Sequence, residues 1–385
     1  RHDPRLPATL RVFGRLAAQA ELKHESSVTT ARVDGAIEQL KLVEIVPPGS
    51  ATPGATWQEP RITLAALASY QHTSEQLQLQ QLRVASAALR CDASGAMALS
   101  NQGGDVDIKG SVQYDWQKLA PLWRPYLGSG VQVAGREARN FAITGRLTGG
   151  PADPDAWRQV AASGAVGWTG MDLHGFQVGP GEIAARLTEG RIRTAPIDVR
   201  VSDGRFTFSP VVQLSPGPAE LRIPRAPLLT NVHLSPEMCR RGLKFVAPIV
   251  AETTVAEGRF SVNMDGGRVP LAEPKDSELS GHMAIRAQVT PGPVAEEFLV
   301  LVNELMSVLQ RGNFRPLNEQ TGSLLSIDAN DVEFQMVGRR VYHRNLKFSV
   351  GNLPITTHGS VGMDESLSMV AEVPLRANLL GQDLS

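Results

Sequence analysis

Cysteine is scarce: the 385-residue chain holds two, Cys91 and Cys239, far apart in sequence. Two distant thiols supply neither a disulfide framework nor a metal-ligand cluster, and they are expected to stay unbridged. Aromatic residues make up 5% of the chain. Trp57, Trp116, Trp123, Trp157 and Trp168 are too dispersed for the exposed aromatic platform of a carbohydrate-active β-sandwich, so the apolar surface is mostly Val, Ile, Leu and Ala. Neither sign of charge is in excess (38 Lys+Arg against 39 Asp+Glu), and no basic run exceeds two residues. No basic stripe for nucleic acid follows from such a balance. Long hydrophobic runs are missing too. The most apolar window, Val294–Leu309, is interrupted by Glu296, Glu297, Asn303 and Glu304, which excludes a transmembrane helix there. The start carries no signal-peptide pattern. Because it begins at Arg1 and not at Met, the chain is expected to be a fragment or a processed form, with any anchor upstream.

Catalytic constellations are also lacking. None of the eight histidines is paired with another at helical spacing, so convergent zinc ligands are not expected. Asp105-Val106-Asp107 places two carboxylates on one strand face, which reads as a solvated edge because no further ligand cluster accompanies them. Ser360, between Gly359 and Gly362, does not fit the strand-turn-helix nucleophile motif. Gly179-Pro180-Gly181 precedes no helix that could cradle a phosphate. No enzyme activity, metal or cofactor is expected.

What the chain has in abundance is alternation. Val106, Ile108, Val112, Tyr114 and Trp116 share one phase, with Asp107, Lys109, Ser111, Gln113 and Asp115 on the other. The same period of two runs through Ile197-Val199-Val201, Phe206-Phe208, Phe260-Val262-Met264, Met283-Ile285-Ala287-Val289, Leu346-Phe348-Val350 and Leu367-Met369-Ala371. Strict alternation marks strands with one apolar and one polar face; doubly covered parallel strands would show continuous apolar runs instead. The fold class is therefore all-β and mainly antiparallel, an elongated curved sheet of meander repeats. A glycine near the start of many strands (Gly35, Gly110, Gly145, Gly164, Gly204, Gly258, Gly281, Gly359) forms a weak, irregular repeat. Pro/Gly-rich joints divide the chain into a first β-repeat region at 1–149, a second at 155–290, and a helix plus terminal meander at 291–385.

Three segments are helical. Asp115 caps a short one over Asp115–Gly128, expected to be interrupted at Pro121 and Pro125. Ser235, Pro236 and Glu237 open another. The longest, Pro293–Arg311, carries Val294, Phe298, Val302, Leu305 and Leu309 on one amphipathic stripe, expected to cap the apolar side of the sheet. One substantial helix cannot cover so many apolar strand faces. They either pack against each other in a sandwich or leave a curved face open to another occupant.

The segments Ile355–Leu375 (ITTHGSVGMDESLSMVAEVPL) and Leu243–Leu271 (LKFVAPIVAETTVAEGRFSVNMDGGRVPL) resemble the C-terminal region of AsmA/TamB-type proteins, the bacterial relatives of bridge-like lipid-transfer proteins. Tyr114–Leu147 resembles a segment of large proteins of this type. The resemblance implies a non-enzymatic β-groove in the periplasm, tethered to the inner membrane by a segment upstream of Arg1. It would bind or transfer phospholipid or another acyl lipid in outer-membrane biogenesis or envelope lipid homeostasis, with envelope membrane proteins as further partners. Ile197, Val199, Val201, Phe206, Phe208, Phe260, Val262, Ile285, Val361 and Met369 would line the groove. A structural β-sandwich or β-repeat interaction module of the cell envelope is the alternative.

Overall fold

The structure, a computed structural model, describes residues 10–44, 56–98, 104–127, 130–147, 158–241, 243–248, 255–290, 296–297, 300, 304, 325–350, 353–364 and 366–373. It is all-β and antiparallel, as the alternation requires, with a few short helices. In chain order the strands begin with β1 (Leu10–Glu25), β2 (Val28–Glu44), β3 (Thr56–Gln71), β4 (Gln76–Ala85), β5 (Leu89–Ala98) and β6 (Gly104–Asp115). After helix α1 (Trp116–Leu127) come β7 (Val131–Ala134), β8 (Arg136–Leu147), β9 (Val160–Trp168), β10 (Gly170–Leu173), β11 (Phe176–Val178) and β12 (Gly181–Thr188). Next are β13 (Arg191–Thr194), β14 (Ile197–Val201), β15 (Gly204–Phe208), β16 (Val211–Gln213), β17 (Glu220–Ile223) and β18 (Ala226–His233). Helix α2 (Pro236–Arg241) and a 3-10 turn (Leu243–Phe245) follow. The chain closes with β19 (Ala256–Pro270), β20 (Glu278–Val289), β21 (Leu325–Val337), β22 (Arg340–Val350), β23 (Leu353–Gly362) and β24 (Leu367–Glu372).

Two compact units result. Unit 1 holds Arg1–Leu173, Gly179–Ile197 and Val211–Ala219; unit 2 holds His174–Val178, Asp198–Pro210 and Glu220–Ser385. The joints expected near residues 149 and 290 fall outside the described residues, and the division runs instead through 174–219, where the chain passes between units more than once.

Unit 1 is a meander in which each strand pairs antiparallel with the next, in the order β1-β2-β3-β4-β5-β6-β8-β9-β12-β13-β16. Short connections suffice for this topology. At the β12–β13 hairpin the two turn residues, Glu189 and Gly190, both have positive φ (51° and 69°), the primed geometry that matches strand twist. Gly145 at φ 122° shows why glycine recurs here: a Cβ at that position would lie 2.1 Å from the Gln159 carbonyl oxygen, just ahead of the next strand. Helix α1 follows β6. Asp115 Oδ1 accepts from the backbone N–H of Gln117 (3.1 Å) and of Lys118 (3.4 Å), satisfying donors the first turn leaves unpaired. The helix runs unbroken through Pro121 and Pro125 to Leu127, so the expected interruptions do not end it; each proline omits one backbone donor.

In unit 2 a second meander runs β18-β19-β20-β21-β22-β23-β24, with β15 paired to β18, and β17 paired to the far end of β19. One of its faces is sealed. Phe260, Met283, Ile285, Ile327, Phe348 and Ile355 are at most 2% exposed. Leu234, Met238, Cys239, Leu243 and Ala247, from the α2 segment, are likewise buried, and the 3-10 turn packs on β23. Ser235 caps α2, its hydroxyl accepting from the Met238 N–H at 3.3 Å. Of the expected long helix, Val294, Phe298, Val302, Leu305 and Leu309 lie outside the described residues; Glu296, Glu297, Val300 and Glu304 are helical and exposed.

His343 occupies the sealed face, 1% exposed, with neither ring nitrogen hydrogen-bonded among the described residues. Burial, with a smaller contribution from His358, pushes its pKa down to about 4. The unfolded chain therefore takes up a proton near pH 6.5 that the folded chain refuses until about pH 4, and stability falls as pH drops through that window. The loss amounts to about 3 kcal/mol at most. We expect the urea midpoint of the native chain to fall further between pH 7 and pH 4.5 than that of His343→Leu. Equal losses in the two proteins would mean that His343 is not held neutral.

Candidate functional site

Cross-strand register brings together on unit 1 a set of residues that no single strand reveals. Leu22, Ala31, Ala68, Leu79, Gly95, Ile108, Ile143, Ala162, Leu187, Ile192 and Val212 stand opposite one another in succession from β1 to β16. The next row runs Ala20, Val33, Ala66, Leu82, Ala93, Gly110, Phe141, Gly164 and Ala185. Beyond it lie Ala18, Gly35, Leu64, Val84, Cys91 and Val112. All three rows fall on one face, because partners in an antiparallel ladder point to the same side. The other face carries Glu21, Arg32, Arg83, Asp92, Lys109 and Arg186, all charged; its ion pairs include Arg83–Asp92 at 2.6 Å and Arg32–Asp34 at 2.8 Å. These pairs are solvent-exposed and add little stability.

Most of the side chains in the apolar rows are half-buried rather than sealed, Ala93 and Leu187 being the buried ones. Val33, Ala66, Leu82, Val84, Ile108 and Phe141 are all of intermediate exposure, and Leu64 is 38% exposed. Helix α1 packs on this unit, touching β3, β6 and β7 near one end. That end is pinned by aromatic side chains: Trp116 Nε1 donates to the Gly167 carbonyl (2.7 Å), and Tyr114 Oη accepts from the Gly167 N–H (2.6 Å). Small side chains dominate the middle row, so the face is shallow; at Gly110 a Cβ would come within 2.6 Å of the Phe141 ring lying over it.

Polar groups bound the face at the β1–β2 turn. His24 Nδ1 and His72 Nε2 lie 2.9 and 2.8 Å from the Thr29 hydroxyl oxygen, and Tyr70 stacks edge-on with His72 at 4.9 Å. These two histidines are distant in sequence, and only the pairing of β1, β2 and β3 brings them together. Farther along β3, Glu59 is 3% exposed and its Oε1 accepts from the Ala87 N–H at 2.5 Å, tying down the turn before β5.

The residues expected to line a groove lie elsewhere. Ile197, Val199, Val201, Phe260, Ile285 and Val361 are buried, while Phe206, Phe208, Val262 and Met369 are half-buried. Ser360, on the opposite phase from Val361, is covered by Arg340, whose Nε and Nη2 donate to its hydroxyl at 3.1 Å. Asp105 and Asp107 are exposed. No group of three or more metal-ligating side chains and no membrane-spanning helix occurs among the described residues.

Cys91 and Cys239 are both free thiols. Cys91 stands half-buried in the third apolar row, where burial, and then Asp92, raise its pKa. Cys239 is fully buried and pushed up to about 12 by burial. Since the thiolate is the reactive form, the native chain at pH 8 should release one equivalent slowly with a chromogenic disulfide reagent and a second only after denaturation. Two equivalents released together from the native chain would contradict this placement. No protein-family model matches the chain, and no curated protein or solved structure is significantly similar to it.

Proposed function

We propose that unit 1 is a non-enzymatic β-groove that holds phospholipid or another acyl lipid on its apolar face. The observation that carries this reading is the continuity of that face: the first row crosses from β1 to β16 and the second from β1 to β12 without a charged residue in register, while the third ends at β6, where Val112 stands opposite Arg139; most of their side chains are left half-buried. Rows at strand spacing extend on the order of 50 Å over these strands before twist is counted, which exceeds the length of one acyl chain. Each methylene withdrawn from water contributes about 0.8 kcal/mol, and a chain lying along the first two rows meets no charged side chain between β1 and β12. The polar cluster of His24, Thr29, Tyr70 and His72 at one boundary offers hydrogen-bonding groups to the end of a lipid that stays wet.

The envelope setting rests on the resemblance of Leu243–Leu271 and Ile355–Leu375 to AsmA/TamB-type proteins. It consists of a periplasmic location, a tether upstream of Arg1, and a part in outer-membrane biogenesis or lipid homeostasis, with envelope membrane proteins as partners. The alternative, a structural β-module whose apolar faces only pack, is favoured by the sealed face of unit 2.

A photo-reactive amino acid at Leu82 should capture phospholipid in cells, whereas the same probe at Arg83, on the charged face, should not. Lipid captured at neither position, with the probe at Leu82 cross-linking to protein instead, would transfer the case to the structural module.

A further inference from the structure

The outer edge of β1 is unpaired among the described residues. β1 is registered to β2 on one side, and no pairing occupies the other. The strand is 16 residues long and exposed from Arg11 to Glu25, with Phe13 at 56%, Leu16 at 74% and Leu22 at 71%. An open edge of that length is a template for a further strand.

We propose that a second copy of this chain takes this edge, β1 pairing antiparallel with β1 of the partner subunit about a two-fold axis through Ala18. The argument lies in the charges. β1 alternates without a slip: Leu16, Ala18, Ala20 and Leu22 belong to the apolar face, and Arg11, Arg15, Glu21 and Glu25 to the other. With the axis at Ala18, Arg15 stands opposite Glu21 of the partner subunit, and Arg11 opposite Glu25 of the partner subunit. Symmetry repeats both pairs. Moving the axis to Ala17 sets Arg11 against Lys23 of the partner subunit, and moving it to Gln19 sets Arg15 against Lys23 of the partner subunit. Like charges directly opposite disfavour both of those registers.

The complementarity reaches beyond the seam. Arg61 stands opposite Glu38, and Glu38 opposite Arg15, so the row continues through Glu21 of the partner subunit to Arg32 of the partner subunit with the sign alternating at every step. On the apolar side Leu16 meets Ala20 of the partner subunit, large against small. The two apolar faces lie on the same side of the joined sheet, because the axis stands perpendicular to it. A patch that complements itself in this way is what an isologous interface requires. The inference needs only the edge and its charges and does not depend on the lipid reading.

Two experiments on the full chain test it. In a Cys91→Ser background, Ala18→Cys should form a covalent dimer under mild oxidation, since directly opposite Cβ atoms lie about 4.5–5.5 Å apart; Ala36→Cys, on β2, should not. By light scattering and sedimentation, Arg11→Glu should weaken the dimer about tenfold, and Arg11→Glu/Glu25→Arg should restore it, as Arg11 and Glu25 face only Val43 and Val28 on β2. A monomeric chain overturns the proposal. So does a dimer that cross-links at Ala36→Cys and not at Ala18→Cys, a dimer indifferent to Arg11→Glu, or capture of a different protein at Ala18→Cys.

Discussion

Register is the constraint on which everything in unit 1 depends. A strand pairing that slipped by one residue would turn its apolar side chains onto the charged face. Across β1 to β6 the ladders hold every apolar row in phase, even where β2 gains an extra residue at Gln39 (φ 52°) between the pairs Arg15–Glu38 and Phe13–Lys41. The irregularity restores the phase instead of breaking it: Leu42, beyond it, still stands opposite Val12. Bulges of this kind re-aim a strand while preserving its alternation.

The same alternation leads to two different outcomes in the two units. In unit 2 the apolar side is built from Phe260, Met283, Ile285, Phe348 and Ile355, and the α2 segment supplies Met238, Cys239 and Leu243 to fill it. Burial there is nearly complete, and removing a large side chain would open a cavity costing about 2–5 kcal/mol. In unit 1 the corresponding positions are often Ala or Gly: Ala18, Gly35, Ala66, Ala93, Gly110 and Gly164. Small side chains give a shallow surface that cannot bury itself, and its half-exposure follows from composition as much as from topology. A charge placed on that surface can be rehydrated, so it should disturb an occupant more than it disturbs the fold.

Period-two alternation made the fold class legible, and the caps at Asp115 and Ser235 located two helices, because both signals are local. The site was harder to see. Alternation is most conspicuous where side chains are largest, which drew the expected lining toward Ile197, Val199, Val201, Phe260 and Ile285, all of them buried. The open face is assembled from residues such as Ala20, Ala66 and Gly95, whose alternation is faint in any one strand and emerges only when β1, β3 and β5 are placed beside their neighbours. The meeting of His24 with His72, rings 5.4 Å apart, was hidden for the same reason: sequence distance says nothing about which strands pair. Burial of His343 was also unreadable, since its neighbours Tyr342 and Arg344 are exposed and nothing local marks the phase as sealed.

The central claim is that the apolar face of unit 1 is occupied by acyl chains. Mass spectrometry of organic extracts from the purified chain tests it most directly, with an Ala66→Glu variant of unchanged circular dichroism as the comparison. The account predicts phospholipid or another acyl lipid in near-stoichiometric amount from the native chain and a large loss from the variant. A lipid-free native extract, or equal lipid in both, would contradict it.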